Sequence, residues 1–88
     1  MSLALHLAAD AVADLRRLEP WLQEDVWDEL ERLAADPSLI PLPLPAWGSV
    51  HTFARTAGGV LHVVALTLER SNVAPTLSLL GVRLIPMT

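Results

Sequence analysis

The sequence predicts a two-layer α+β domain, in which a helical hairpin packs on an antiparallel sheet in the order β-α-α-β-β-β. Two observations predict it. Apolar residues recur at helical spacing between residues 9 and 35, and the second half of the chain holds a long aliphatic stretch without proline, VLHVVALTLE at residues 60–69. The length of 88 residues is sufficient for one domain, and we expect that domain to span residues 1–88.

Composition and charge exclude several functional classes. The chain has no Cys, which excludes disulfides and thiolate chemistry. No apolar run reaches the ~20 residues of a membrane-spanning helix, and the N-terminus lacks the Lys or Arg of a secretory signal and carries Asp10. We therefore expect a cytoplasmic protein that does not bind membranes. The net charge of −4 argues against strong non-specific binding of nucleic acid, although residues 50–88 carry three arginines against Glu69 alone.

The first two elements are a short strand and a helix. Residues 3–7 alternate between leucine and other residues, which predicts a strand with His6 on its polar face. From Ala9 the spacing becomes helical, and Pro20 ends this helix and suits the first turn of the next one.

The second helix is predicted from about Trp21 to Ala35. Its apolar stripe consists of Leu22, Val26, Leu30 and Leu33, which Trp27 and Ala34 widen. The acids between residues 24 and 31 are interpreted as a solvated outer face.

A proline-rich segment, PSLIPLPLP at residues 37–45, follows the second helix. Four prolines favour an extended conformation close to polyproline II. Because the segment lies between structured elements, we interpret it as a stiff connector from helix to sheet. A ligand for an aromatic-grooved domain is the alternative.

Three strands are predicted next, at Val50–Thr56, Val60–Glu69 and Thr76–Ile85, and their short loops indicate an antiparallel meander. The middle strand is apolar on both faces, whereas one helical hairpin covers only one side of a sheet. The remaining face, formed by Val60, Val64, Leu66 and Leu68 or by their alternates, would then need cover from a second copy or from another protein. The alternative is that the segment Leu39–Trp47 covers it within one chain.

The candidate chemical residues lie on these three strands. His51 and Arg55 share a face of the first, His62 lies on the second and Arg83 on the third. An arginine beside imidazoles on an open sheet could bind a phosphate and move a proton. The other interpretation is that His51 and Arg55 face solvent on an edge strand and that His62 is a hydrogen-bonded core histidine. The scattered histidines show no metal-ligand pattern, and we expect neither a metal nor a cofactor.

The order of elements resembles that of the RelE/ParE toxins of bacterial toxin–antitoxin pairs. The matching stretches are AADAVADLRRLEPWLQEDVWDELERLAADP, VHTFARTAGGVLHVVALTLE with its R-x-x-G-G turn, and LSLLGVRL with its G-x-R. This resemblance implies a toxin that an antitoxin neutralises by wrapping around it. RelE-like members are ribosome-dependent messenger-RNA interferases that need no metal, whereas ParE-like members inhibit DNA gyrase. A toxin-fold protein that only binds or dimerises is a further alternative.

The resemblance also implies site residues. His51 falls where RelE-like enzymes carry a basic residue, Arg55 matches the arginine before the turn, and Arg83 matches the arginine after the glycine. In an RNA-cleaving toxin the two arginines would bind phosphate, and His51 or His62 would act as acid or base. The chain departs from the pattern at Phe53, where a second base is expected, at residues 61–62, where an arginine is common, and in its lack of tyrosine.

Overall fold

The computed structural model describes residues 2–46, 48–71 and 73–86. Trp47, the last residue of the proline-rich segment considered above as a cover, lies outside the described residues. The elements confirm the predicted order and are β1 (Ala4–Leu7), α1 (Ala9–Arg16), α2 (Pro20–Ala35), a single 3-10 turn (Pro37–Leu39), β2 (Ser49–Ala57), β3 (Val60–Ser71) and β4 (Thr76–Ile85). Neither helix described is long and apolar enough to cross a membrane.

The predicted apolar stripe of α2 faces the sheet. Its four members, Leu22, Val26, Leu30 and Leu33, are almost completely buried. Trp27, which was expected to widen the stripe, is instead 40% exposed. Because each helical residue is rotated by about 100° from the one before it, Trp27 is turned away from the direction of Val26, and the smaller Ala34 completes the buried face.

The four strands form one sheet in the order β1-β4-β3-β2. β2, β3 and β4 make the antiparallel meander that the short loops predict. β1 pairs with β4 in parallel, so the sheet is mixed. The alternating leucines of β1 predict a strand but carry no information about its partner or its direction. β3 is therefore central, and β2 is an edge strand.

Both helices lie on one face of the sheet, which we call the covered face. Val64, Leu66 and Leu68 of β3 are completely buried there, so three of the four residues expected to need a partner already form the core. The opposite side, the open face, carries their alternates Leu61, Val63, Ala65 and Thr67, which are exposed or half-buried. Val60 is the first residue of β3 and is also exposed.

A β-bulge divides β4 into two parts. Leu68 pairs with Leu79 but Thr67 pairs with Gly81, so Leu80 is an extra residue in β4. Simple alternation would place Arg83 on the covered face with Leu79. The extra residue reverses the alternation, and Arg83 pairs with Ala65 on the open face.

The proline-rich segment packs at the end of the sheet. Its described residues, 37–45, do not cover the open face. Ile40 contacts the core, and the Ser49 hydroxyl donates a hydrogen bond of 2.7 Å to the carbonyl oxygen of Pro41. Leu42 and Leu44 are exposed. These residues act as the connector that was predicted.

Candidate functional site

Three of the four candidate residues lie on the covered face beside the same side of α2. Trp21, Asp25 and Glu29 are four positions apart and therefore form a row along the helix, which we call the α2 row. Each member of the row meets one candidate residue from the sheet. The pairs are Trp21 with His62, Asp25 with Arg55, and Glu29 with His51.

Glu29 makes the most buried of these contacts. Glu29 is only 6% exposed. Its two carboxylate oxygens have different partners. Oε1 accepts a 2.6 Å hydrogen bond from the Nε of Arg32, one turn further along α2, and Oε2 lies 3.0 Å from the Nε2 of His51. The side chain therefore ties the edge strand β2 to the helix.

The electrostatics of Glu29 determine which nitrogen of His51 carries the proton. The hydrogen bond from Arg32 is the main reason that the pKa of Glu29 is lowered; the bond from His51 adds to this effect, and burial opposes it. The same ion pair raises the pKa of Arg32. Glu29 is thus an ionised carboxylate, which can only accept hydrogen bonds. His51 therefore donates this hydrogen bond from Nε2.

Arg55 is more exposed than His51. Its Nε lies 3.5 Å from Oδ2 of Asp25, and its Nη1 donates a 3.0 Å hydrogen bond to the carbonyl oxygen of Ala54. The guanidinium also lies over the ring of Phe53, with 5.3 Å between Cζ and the ring centroid. These contacts orient the guanidinium toward its own strand and α2.

His62 contacts an aromatic ring. Its imidazole packs edge-on against the Trp21 indole, with 5.2 Å between centroids and 75° between planes. The indole N–H donates a 2.7 Å hydrogen bond to Oε2 of Glu19, which fixes the ring at the start of α2. His62 and Arg55 are direct partners across β2 and β3.

Arg83 lies apart from the other three candidates. It is exposed on the open face, beside Ala65 and, one strand further, Thr52. The covered-face candidates are separated from it by the thickness of the sheet. The structure therefore does not bring the four predicted residues into one cluster, and His51 is neither on an open sheet nor solvent-facing, since its side chain is only 14% exposed.

Sequence reasoning missed the acids that engage the candidates. Asp25 and Glu29 were assigned to a solvated outer face, but Glu29 is buried. The available signal is position, because each of these acids directly precedes a residue of the buried stripe, at Val26 and Leu30. Such residues lie on the flank of the stripe, where they reach the edge of the sheet. Within the described ranges, no three His, Cys, Asp or Glu side chains come close enough to hold a metal ion.

The fold is similar to that of solved bacterial toxins. No protein-family model matches the sequence, and a search of curated proteins finds no match. A mutant of the E. coli toxin RelE in the free state is 13% identical and aligns with a TM-score of 0.71 over 93% of this chain and 82% of that one. The RelBE2 toxin–antitoxin complex of Mycobacterium tuberculosis gives 20% identity and a TM-score of 0.69 over 93% of this chain and 96% of that one.

A third similar structure is the intact E. coli RelBE toxin–antitoxin complex. It is 13% identical, with a TM-score of 0.71 over 98% of this chain and the whole of that chain. Two helices on a four-stranded mixed sheet thus give this chain the RelE-like toxin fold that the resemblance implied.

Proposed function

We propose that this chain is the toxin component of a toxin–antitoxin pair, and that it acts by binding protein rather than by cleaving RNA. The toxin assignment is supported by the similarity of fold, which extends over nearly all of the chain. Two of the similar structures are themselves toxin–antitoxin complexes, which supports an antitoxin as the partner. Fold alone does not determine the mode of action, which depends on the site.

The observation that carries the binding mode is the α2 row. A general base or a phosphate-binding cation must reach the substrate at hydrogen-bond distance. His51 and Arg55 are directed to acids of α2, and His62 is directed to the Trp21 ring. Only Arg83 among the four candidates lies on the open face. One exposed arginine among threonines and aliphatic residues is a poor site for RNA cleavage but is common in protein interfaces.

The open face is the proposed docking surface for the antitoxin. Its exposed or half-buried aliphatic side chains include Leu61, Val63 and Ile85. Complete burial of a fully exposed side chain of this kind is worth about 1.5–3 kcal/mol. Leu61 and Ile85 are 45% and 37% exposed and Val63 is less exposed, so the three together give roughly 2–4 kcal/mol before the costs of ordering. A second copy of the chain would cover the same surface, and its presence would be seen as a dimer by light scattering.

Ribosome-dependent messenger-RNA cleavage is the second candidate, and one observation favours it. The Glu29 carboxylate fixes the proton of His51 on Nε2, as a carboxylate does for the histidine of a hydrolytic triad. In this candidate mechanism Nδ1 would accept the proton of an RNA 2′-hydroxyl while the Nε2–H bond to Glu29 is kept. Inhibition of DNA gyrase is a form of the binding mode with a different target.

Inducible expression in a bacterium tests the toxin assignment. Wild-type chain is expected to arrest growth. We propose that the target protein docks on the same open face and that the antitoxin neutralises the toxin by covering it, so Leu61→Glu, which places a charge there, should relieve the arrest. Val73→Glu is the matched control, since Val73 is fully exposed in the β3–β4 loop, away from the sheet. Equal growth of cells with wild type and with empty vector would overturn the proposal.

The target can be identified in the same cells. Mapping of messenger-RNA 5′ ends detects cleavage, and plasmid topology detects gyrase inhibition. The binding mode predicts arrest without new RNA ends at ribosome-bound codons. New ends that appear with wild type and disappear with His51→Gln would favour the second candidate.

A further inference from the structure

A cavity lies between the proline-rich segment and the end of the sheet, and it has no place in the proposed function. Its volume is about 330 Å³, which is within the range of small-ligand sites, about 300–1,000 Å³. The described residues that line it are Ile40, Pro41, Leu42, Pro43, Gly48, Ser49, Leu68, Glu69 and Arg70. Most of this lining is aliphatic or proline.

Three of the lining residues have polar side chains, Ser49, Glu69 and Arg70, and Arg70 is the cation among them. Arg70 follows Leu68 by two positions, so both side chains lie on the same side of β3, and Arg70 pairs with the core residue Leu77. Glu69 lies between them and also lines the cavity, although the alternation of β3 directs its side chain to the other face of the strand. Arg70 makes no ion pair with the described residues, whereas the hydroxyl of Ser49 is already bonded to Pro41.

The wall of the cavity is held in a fixed and strained shape. Leu44 and Gly48 exchange two backbone hydrogen bonds of 2.8 and 3.1 Å and close a tight turn. Ala46 within this turn has a φ of 67°, which is unfavourable for a residue with a side chain. Strain of this kind persists where the surrounding structure imposes it, and it is frequent at ligand sites.

We propose that this cavity binds a ligand that carries one apolar group and one carboxylate. The apolar group packs against Ile40 and Leu42, and the carboxylate pairs with the guanidinium of Arg70, whose fork of N–H donors matches its geometry. Two sources share this chemistry, a small free acid and the C-terminal residue of a polypeptide. The site is separate from the open face, so this proposal does not depend on the toxin assignment.

Titration of the ¹⁵N-labelled chain with N-acetylphenylalanine tests the proposal by NMR. We expect saturable shifts of the Gly48, Ser49 and Arg70 amides. N-acetylphenylalanine amide, which lacks the carboxylate, should bind at least tenfold more weakly. Arg70→Gln should weaken binding of the acid by a similar factor, whereas Arg17→Gln, at an exposed arginine just after α1, should leave it unchanged.

A tetrapeptide that ends in phenylalanine with a free carboxylate separates the two sources. Tighter binding of this peptide than of the acid identifies a polypeptide C-terminus, and equal or weaker binding identifies a small acid. Either result supports the cavity as a carboxylate site. The absence of saturable shifts at these amides, or equal binding of acid and amide, would overturn it. So would equal binding by wild type and Arg70→Gln, with circular dichroism confirming that the variant is folded.

Discussion

Replacement of Glu29 by glutamine tests whether the α2 row stabilises the fold. The carboxylate accepts hydrogen bonds from two donors, Arg32 and His51. A glutamine amide of the same shape is uncharged and has one accepting oxygen, so its NH₂ faces either Arg32 or His51, and the bond between that residue and a carboxylate is lost. The buried contact between Glu29 and His51 contributes most to the stability of the fold, because water screens the ion pair between Glu29 and the half-exposed Arg32. Loss of a hydrogen bond to a charged group costs about 1.5–3 kcal/mol.

The expected loss is thus about 2 kcal/mol of unfolding free energy, which lowers Tm by about 8–16 °C in a domain of this size. Thermal and urea denaturation followed by circular dichroism at pH 7 would measure it. Glu31→Gln is the matched control on the exposed side of α2, and it should stay within about 0.5 kcal/mol of wild type.

The pH dependence gives a second check on the same residue. Because the pKa of Glu29 is lowered in the folded state, its contribution is fully present above the ordinary glutamate pKa of about 4.3 and is lost as the pH falls through the lowered folded value. The difference between wild type and Glu29→Gln should therefore shrink as the pH falls below about 4.3 and through the lowered folded pKa. Equal stability at pH 7, or a difference that does not shrink on acidification, would refute this account of Glu29.

Three further predictions concern packing and backbone. Gly48→Ala should destabilise the fold by about 1–3 kcal/mol in urea titrations, since its Cβ would lie 2.9 Å from the carbonyl oxygen of Leu68, whereas Gly59→Ala, also at positive φ but in open space, should cost about 1 kcal/mol. Leu66→Ala should cost about 2–5 kcal/mol because the side chain is completely buried, whereas Leu61→Ala on the open face should cost under about 1 kcal/mol. Asp14→Ala removes the acceptor of the 3.0 Å hydrogen bond from the Val82 N–H, so the Val82 amide should exchange hydrogen faster than in the wild type. Asp10→Ala, also on α1, is the control and should leave this rate unchanged; an unchanged rate in Asp14→Ala would contradict the prediction.

Local patterns predicted most of the fold. Each of the signals involves residues that are close in sequence: the proline at residue 20, the Leu–Val stripe of α2 and the glycine pair at residues 58–59. The observed elements therefore begin and end close to the expected positions. The resemblance extended this to the topology of a RelE-like toxin.

The placement of the site residues depends on distant pairs and could not be read from these patterns. The bulge at Leu80 reverses the face of Arg83. The backbone N–H of Val82, the residue before Arg83, donates its hydrogen bond to the carboxylate of Asp14, 68 positions earlier. Likewise, the partner of His51 is 22 positions away on α2, where an acid was expected to be solvated. The separation of one candidate from the other three follows from these long-range contacts.

Growth arrest by the His51→Gln variant tests the central claim most directly. Glutamine can still donate a hydrogen bond to Glu29, so the helix contact is retained while the imidazole is removed. If His51 serves to hold α2 on β2, the variant should arrest growth as strongly as wild type. A variant that is folded by circular dichroism, expressed at the wild-type level and harmless to the cell would contradict the account and assign His51 to catalysis.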